Sequence, residues 1–90
     1  SIPHYKEVLG LIADFALKFT KEDSNILDLG TSTGSMLIEI ASKASFKVNL
    51  FGIDNSSFML KSAKNKLEAY GMEAKLICGD ILEESFMQCD

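Results

Sequence analysis

Three aspartates recur along this chain, each in or just after a short apolar run: Asp28 in Ile26-Leu27-Asp28-Leu29, Asp54 closing Phe51-Gly52-Ile53-Asp54, and Asp80 after Cys78-Gly79. A carboxylate offers two oxygens and several lone pairs, so an aspartate at the mouth of a groove can accept more than one hydrogen bond from a bound molecule. The first is followed at once by Gly30-Thr31-Ser32-Thr33-Gly34. Glycines allow a tight turn and close approach of backbone to a ligand, and a helix opening directly after such a loop presents unpaired N–H groups and partial positive charge. The chemistry these residue types suit is ligand holding. Thr31, Ser32 and Thr33 are hydroxyl-bearing, but no base stands beside them, so they read as loop hydrogen-bonders rather than nucleophiles. No general base stands out in the 90 residues, which leaves the catalytic residues unassigned. Cys78 and Cys89 form neither a C-x-x-C pair nor a metal-ligand spacing, so no metal is expected.

The elements that must position these groups alternate regularly. Val8, Leu9, Ile12, Ala13, Phe15, Ala16 and Phe19 recur at helical spacing, with Pro3 tolerated in the first turn and Asp14 four residues before Lys18 on the polar face. Residues 25–30 read as a strand, Ser35 to about Ala44 as a helix with Met36, Leu37, Ile40 and Ala41 apolar, and 47–54 as a second strand. Asn55 or Ser56 suits the N-cap of a third helix, whose inward face would be Met59, Leu60, Ala63, Leu67 and Tyr70. Gly71 stands just past its end, and 74–78 form a third strand in which Cys78 reads as a small buried hydrophobe. Alternating strands and helices imply parallel strands joined by right-handed crossovers. In such sheets ligands bind at the carboxyl ends of the strands, and all three aspartates stand at or near those ends.

Composition narrows the function classes. The chain is 47% hydrophobic and 24% charged, with a net charge of −4 and a pI near 4.9. All nine basic residues are Lys. Direct nucleic-acid binding normally needs a basic face with Arg for bidentate readout, so none is expected. No apolar stretch of membrane-spanning length and no signal peptide appears, and the cysteine usage fits a reducing, cytoplasmic setting.

The glycine loop discriminates between ligand-binding patterns. A dinucleotide fingerprint G-x-G-x-x-G starting at Gly30 would need glycines where Ser32 and Ser35 stand. The pattern acid-x-Gly-x-small-x-Gly, with Asp28, Gly30, Ser32 and Gly34, fits instead. The run from Ile26 to Gly34 resembles motif I of class I S-adenosylmethionine-dependent methyltransferases. Phe51-Gly52-Ile53-Asp54-Asn55-Ser56 resembles their acidic second motif, and Cys78-Gly79-Asp80-Ile81 their third. The order matches, the spacing is about that of successive βα units, and the resemblance covers nearly the whole chain.

That resemblance implies a cofactor, S-adenosyl-L-methionine, and a role for each site residue. Gly30, Thr31 and Ser32 would present backbone to the methionyl end, in the loop that Gly34 completes. Asp54, with Asn55 beside it, would accept from the ribose hydroxyls. Asp80 would accept from the adenine amino group, and the Ile81 N–H would donate to a ring nitrogen. Asp28 would sit near the methionyl ammonium. A narrower resemblance, carried by Ser1-Ile2-Pro3-His4-Tyr5, the glycine loop, Ile53-Asp54-Asn55-Ser56 with Met59, Ala69-Tyr70 and Gly79-Asp80-Ile81, is to carboxy-S-adenosylmethionine synthases. That family condenses S-adenosylmethionine with prephenate to make a cofactor for tRNA wobble-uridine modification. It implies that Tyr5 contacts the methionyl part. The chain departs from that family in having Thr31 where Cys is usual, and the family's substrate-contacting Asn and Arg lie beyond the third strand.

The expected fold is therefore α/β: a Rossmann-like parallel sheet in strand order 3-2-1 with flanking helices, corresponding to the N-terminal half of a class I methyltransferase domain. A dimer contact or further polypeptide should cover the open edge of strand one, and the acceptor should be a small molecule. Simpler readings stand beside these. Gly30 and Gly34 close a strand-to-helix turn in any case, Asp28 suits a structural carboxylate binding loop N–H groups, and Tyr5 and Met59 suit packing. A ligand-binding fragment without turnover and a nicotinamide-dependent dehydrogenase domain are the alternative functions.

Overall fold

The computed structural model describes residues 4–80. Its elements alternate as α1 (Tyr5–Lys18), β1 (Asn25–Leu29), α2 (Ser35–Lys43), β2 (Asn49–Asp54), α3 (Ser57–Ala69) and β3 (Lys75–Cys78). The three strands are parallel, with β2 in the middle, which is the expected order 3-2-1. The register sets Ile26 beside Leu50, Asp28 beside Gly52, and Asp54 beside Cys78. Because side chains alternate across a strand, Ile26, Leu50 and Leu76 share one face. All three helices pack on that face: Ala13 and Leu17 from α1, Leu37, Ile38 and Ile40 from α2 and Leu67 from α3 join these strand residues in one core. On the other face, Leu27 and Leu29 of β1 are exposed.

The third helix follows local sequence closely. Ser56 is its N-cap, in extended conformation, and its hydroxyl accepts from the Met59 N–H at 3.2 Å. At the other end Gly71 has φ 70°, its N–H donates to the Glu68 carbonyl, and the Met72 N–H donates to the Leu67 carbonyl, each at 2.9 Å. That pair of bonds is a Schellman motif, in which glycine takes the left-handed position without a Cβ penalty. It returns Met72 against the core. Leu60, Ala63 and Leu67 are buried as expected, but Met59 and Tyr70 are exposed because they sit on the end turns, beyond the reach of the sheet.

The first helix departs most from the expectation. Pro3 lies outside the described residues, and the helix starts at Tyr5 after an exposed His4 with φ 64°. Of its expected inward residues only Ala13 is buried, with Leu9 and Ala16 half-buried; Val8, Ile12, Phe15 and Phe19 are exposed, the last by 76%. α1 packs against α2 along a narrow line rather than across a broad sheet face. The expected Asp14–Lys18 pair is replaced by a bond across the two helices, from Lys43 Nζ to Asp14 Oδ1 at 2.9 Å. Gly10 lies beside this bond, where a Cβ would stand in ordinary contact with Lys43 Nζ, at 3.6 Å. Among the described residues no helix is long and apolar enough to cross a membrane.

Glycine in the middle of a central strand usually marks a close approach of other atoms. Gly52 is such a position. A Cβ built there would meet Thr31 Oγ1 at 2.8 Å and Thr31 Cβ at 2.9 Å, so Thr31 occupies the space a side chain would need. Gly52→Ala is expected to lower the unfolding free energy by about 1–3 kcal/mol, the usual cost of overpacking. Urea denaturation measures this, and adding Thr31→Ala should recover part of the loss. Additive losses in the double variant would refute the contact.

Candidate functional site

The glycine loop is built from residues in the left-handed region. Gly30 has φ 71°, Ser32 51° and Gly34 83°, and Gly34 caps α2 with its backbone alone. Thr31, between them, is only 4% exposed. Its N–H donates to the Ile53 carbonyl at 2.8 Å, and its own carbonyl accepts from Gly34 N–H at 2.9 Å. The loop is thus bonded to the end of β2 and folded back on itself before α2 begins. For Ser32 the left-handed conformation costs a non-glycine residue on the order of 1 kcal/mol, so something must hold it.

Two bonds do so. The Ser32 N–H donates to Asp54 Oδ2 at 2.9 Å, and its hydroxyl contacts Met59 Sδ at 3.8 Å. The other Asp54 oxygen, Oδ1, accepts from the Ser56 N–H at 3.0 Å. The Asp54 carboxylate is therefore gripped from the glycine loop on one side and the α3 cap on the other. Its backbone carbonyl accepts from Gly79 N–H at 3.0 Å, which ties in the end of β3. Each carboxylate oxygen keeps further acceptor capacity. Gly30, Asp54, Asn55, Gly79 and Asp80 line a cleft of about 130 Å³ at the carboxyl ends of the three strands.

A second cleft, of about 220 Å³, lies on the other side of Gly30 and is lined by Tyr5, Leu9, Asp28, Thr31, Ser32, Thr33, Ser35 and Met36. Gly30 lines both, and a Cβ at Gly30 would project into open space between them. Asp28 is half-buried here. Desolvation pushes its carboxyl above the usual carboxylate range; the Thr31 hydroxyl opposes this shift, and the negative Asp54 adds to it. Thr31 Oγ1 is buried close to this carboxyl, without a partner that meets full hydrogen-bond geometry among the described residues. Lys66 Nζ reaches across from α3 to donate to Ser35 Oγ at 2.9 Å, fixing the first residue of α2.

Of the residues singled out from sequence, Gly30, Asp54, Asn55 and Asp80 meet in the first cleft, and Tyr5, Asp28, Gly30, Thr31 and Ser32 in the second. Gly34 lines neither: it is buried, and a Cβ there would stand 3.3 Å from that of Ala63, so its part is to let α3 pack close. Ile81 lies outside the described residues. The backbone donors of Thr31 and Ser32 already serve Ile53 and Asp54. Ser56 and Met59 were seen from sequence as a cap and a packing residue, and their part in holding Asp54 went unread. The signal was the spacing: a cap serine two residues after an aspartate also puts its N–H within reach of that carboxylate. Among the described residues no group of three or more His, Cys, Asp or Glu side chains is placed to hold a metal.

A family model described as "Methyltransferase domain" matches residues 20–89. The chain is 47% identical over 83 residues to the carboxy-S-adenosyl-L-methionine synthase of Nautilia profundicola, covering 92% of this chain and 35% of that protein. It is 43% identical over 95 residues to the protein of the same name from Helicobacter hepaticus, covering 100% of this chain and 39% of that one. The chain thus spans little more than a third of the length of these curated relatives. Among solved structures, an S-adenosylmethionine-dependent methyltransferase from Clostridium acetobutylicum superposes with a TM-score of 0.71 at 29% identity, over 91% of this chain and 32% of that one. One from Thiobacillus denitrificans in complex with S-adenosyl-L-homocysteine gives 0.64 at 32% identity, over 82% and 29%. The parallel sheet, its strand order and its glycine loop are those of the class I methyltransferase fold, and the chain belongs to the methyltransferase domain family.

Proposed function

We propose that this chain is the S-adenosylmethionine-binding portion of a transferase acting on a small molecule. The observation that carries the reading is the pair of clefts meeting at Gly30, one ringed by Asp54 and Asp80 and the other by Asp28 and Thr31. A ligand with a ribosyl-adenine end and a cationic amino-acid end fits that division. Asp54 would accept from the two ribose hydroxyls with the lone pairs left free by Ser32 and Ser56. Asp80 would accept from the adenine amino group. Asp28 would face the ammonium. When bound, S-adenosylmethionine supplies an activated carbon on a sulfonium sulfur; the residues described here hold and orient it, which is the protein's usual share with such cofactors.

The finer reading is a carboxy-S-adenosylmethionine synthase serving tRNA wobble-uridine modification in the cytoplasm, supported by the identity to proteins of that name. In it Tyr5, exposed at the rim of the second cleft, would close over the methionyl part. Residues that take the acceptor would come from the longer polypeptide. A second copy of the protein or further chain would cover Leu27, Leu29 and the free edge of β1, since parallel sheets are normally covered on both faces.

Isothermal titration tests the cofactor directly. S-adenosylmethionine should bind saturably and NAD should not, and Asp54→Ala should weaken binding at least about tenfold, as expected for losing hydrogen bonds to a charged acceptor. Binding of NAD alone would replace this reading with the dehydrogenase one. Turnover by the longer polypeptide and not by this chain would identify the chain as the binding part.

The pH dependence follows from Asp28. A cationic ligand favours its ionised form, so affinity should rise as pH rises through its elevated pKa, and Asp28→Asn should flatten that rise. The sign for stability is opposite. A carboxyl with a folded-state pKa above the unfolded one contributes stability below the unfolded pKa and loses it as pH rises through the folded pKa. Asp28→Asn should therefore unfold at higher temperature than wild type at neutral pH, with the difference closing in acid. A destabilised Asp28→Asn at neutral pH would show that the carboxylate is structural instead.

A further inference from the structure

Four hydrogen-bonded steps form a closed ring beside the first cleft, which Asp54 lines: Asp54 Oδ1 to the Ser56 N–H, Ser56 Oγ to the Met59 N–H, Met59 Sδ to Ser32 Oγ, and Ser32 N–H back to Asp54 Oδ2. We infer that Met59 is a positioning residue, which acts through Ser32 to fix the Asp54 carboxylate in the orientation that reads a vicinal diol. The inference rests on the proposed reading of Asp54 as the ribose acceptor.

Three observations support it. The loop residue that grips Asp54 Oδ2 is Ser32, whose left-handed φ of 51° is disfavoured for a side chain with a Cβ. Left to itself that residue would relax toward other conformations and swing its N–H off the carboxylate. The only bond described for its side chain is the one to Met59 Sδ. Met59 in turn is fixed by the first turn of α3, since its own N–H is held by the Ser56 cap. It is also too exposed to be a core residue, at 37%, although a methionine at that helical position would suit packing. A thioether is a weak acceptor, so the effect on stability should be small and the effect on geometry larger.

The ratio of two affinities separates positioning from packing. S-adenosylhomocysteine and its 2′-deoxyribosyl counterpart differ by one hydroxyl, and the protein is titrated with each as wild type, Met59→Leu, Met59→Gln and Ser32→Ala. Wild type should prefer the diol by about 10- to 100-fold, the worth of a hydrogen bond to a charged group. Met59→Leu keeps the bulk and removes the acceptor; it should lose about 3- to 10-fold of that preference, with the affinity for the deoxy ligand little changed. Ser32→Ala removes the other half of the same contact at an exposed position and should give the same loss if Met59→Leu does not fold. Met59→Gln, whose amide oxygen accepts from the Ser32 hydroxyl, should restore the preference. If both ligands weaken equally in Met59→Leu, or the preference is unchanged in both Met59→Leu and Ser32→Ala, the positioning role is overturned and the ribose reading stands. If wild type shows no preference, the ribose reading itself fails, and the role of Met59 with it.

Discussion

The site depends on one close approach, Thr31 lying in the space above Gly52. The contact fixes the glycine loop on the central strand, and the Thr31 N–H then reaches the Ile53 carbonyl at 2.8 Å. Once Thr31 is seated, Ser32 follows within reach of Asp54, and Gly34 within van der Waals distance of Ala63 on α3. A side chain at residue 52 would lift the loop and separate all three. Two positions without a Cβ therefore act together: Gly52 admits the loop to the sheet, and Gly34 admits α3 to the loop. The clefts on either side of Gly30 are a consequence of that layering, since the loop forms the ridge between them.

The layering sets up an electrostatic tension at Asp28. Pairing opposite Gly52 puts its carboxyl beneath the loop, half-buried and near the carboxylate of Asp54. Both circumstances penalise the charged form, and the Thr31 hydroxyl opposes them in part. A group that costs stability in the empty site, and whose charge a cation would favour, is what a binding site tolerates and a purely structural turn does not need. Asp54 stands in a different environment, with a backbone N–H on each oxygen. The two carboxylates thus stand in different environments, one held by backbone donors and one desolvated.

Much of the architecture was legible in the sequence because the signals were local. Strand–helix alternation with right-handed crossovers leaves little freedom in strand order, and Ser56 and Gly71 mark the ends of α3 by the conformations they favour. The glycine loop and the positions of Asp54 and Asp80 followed from the same alternation. Misreadings came where a residue's fate depends on what lies across from it. Helical spacing gave an apolar face to α1 but could not say that α2 would meet it along a line through Ala13 and Leu17, leaving Phe15 and Phe19 outside. The pairing of Asp14 with Lys43 instead of Lys18 depends on α2 packing beside α1, a contact between residues 29 apart in sequence. Met59 and Tyr70 keep the helical period but fall on end turns that overhang the sheet.

The distribution of donors and acceptors explains how a loop this short can serve a ligand. The resemblance implies that Gly30, Thr31 and Ser32 present backbone to a bound molecule; of their donors, the Thr31 and Ser32 N–H groups are engaged within the protein, on Ile53 and Asp54. Engaged donors fix the loop, and a fixed loop presents its remaining polar groups without a further ordering cost when a ligand arrives. The carboxylates of Asp54 and Asp80 line the first cleft, and that of Asp28 lines the second. Carboxylates at the mouth of a cleft suit ligands that bring hydrogen-bond donors or positive charge. The bonds that hold the loop to β2 also hold the Asp54 carboxylate in place beside Gly30.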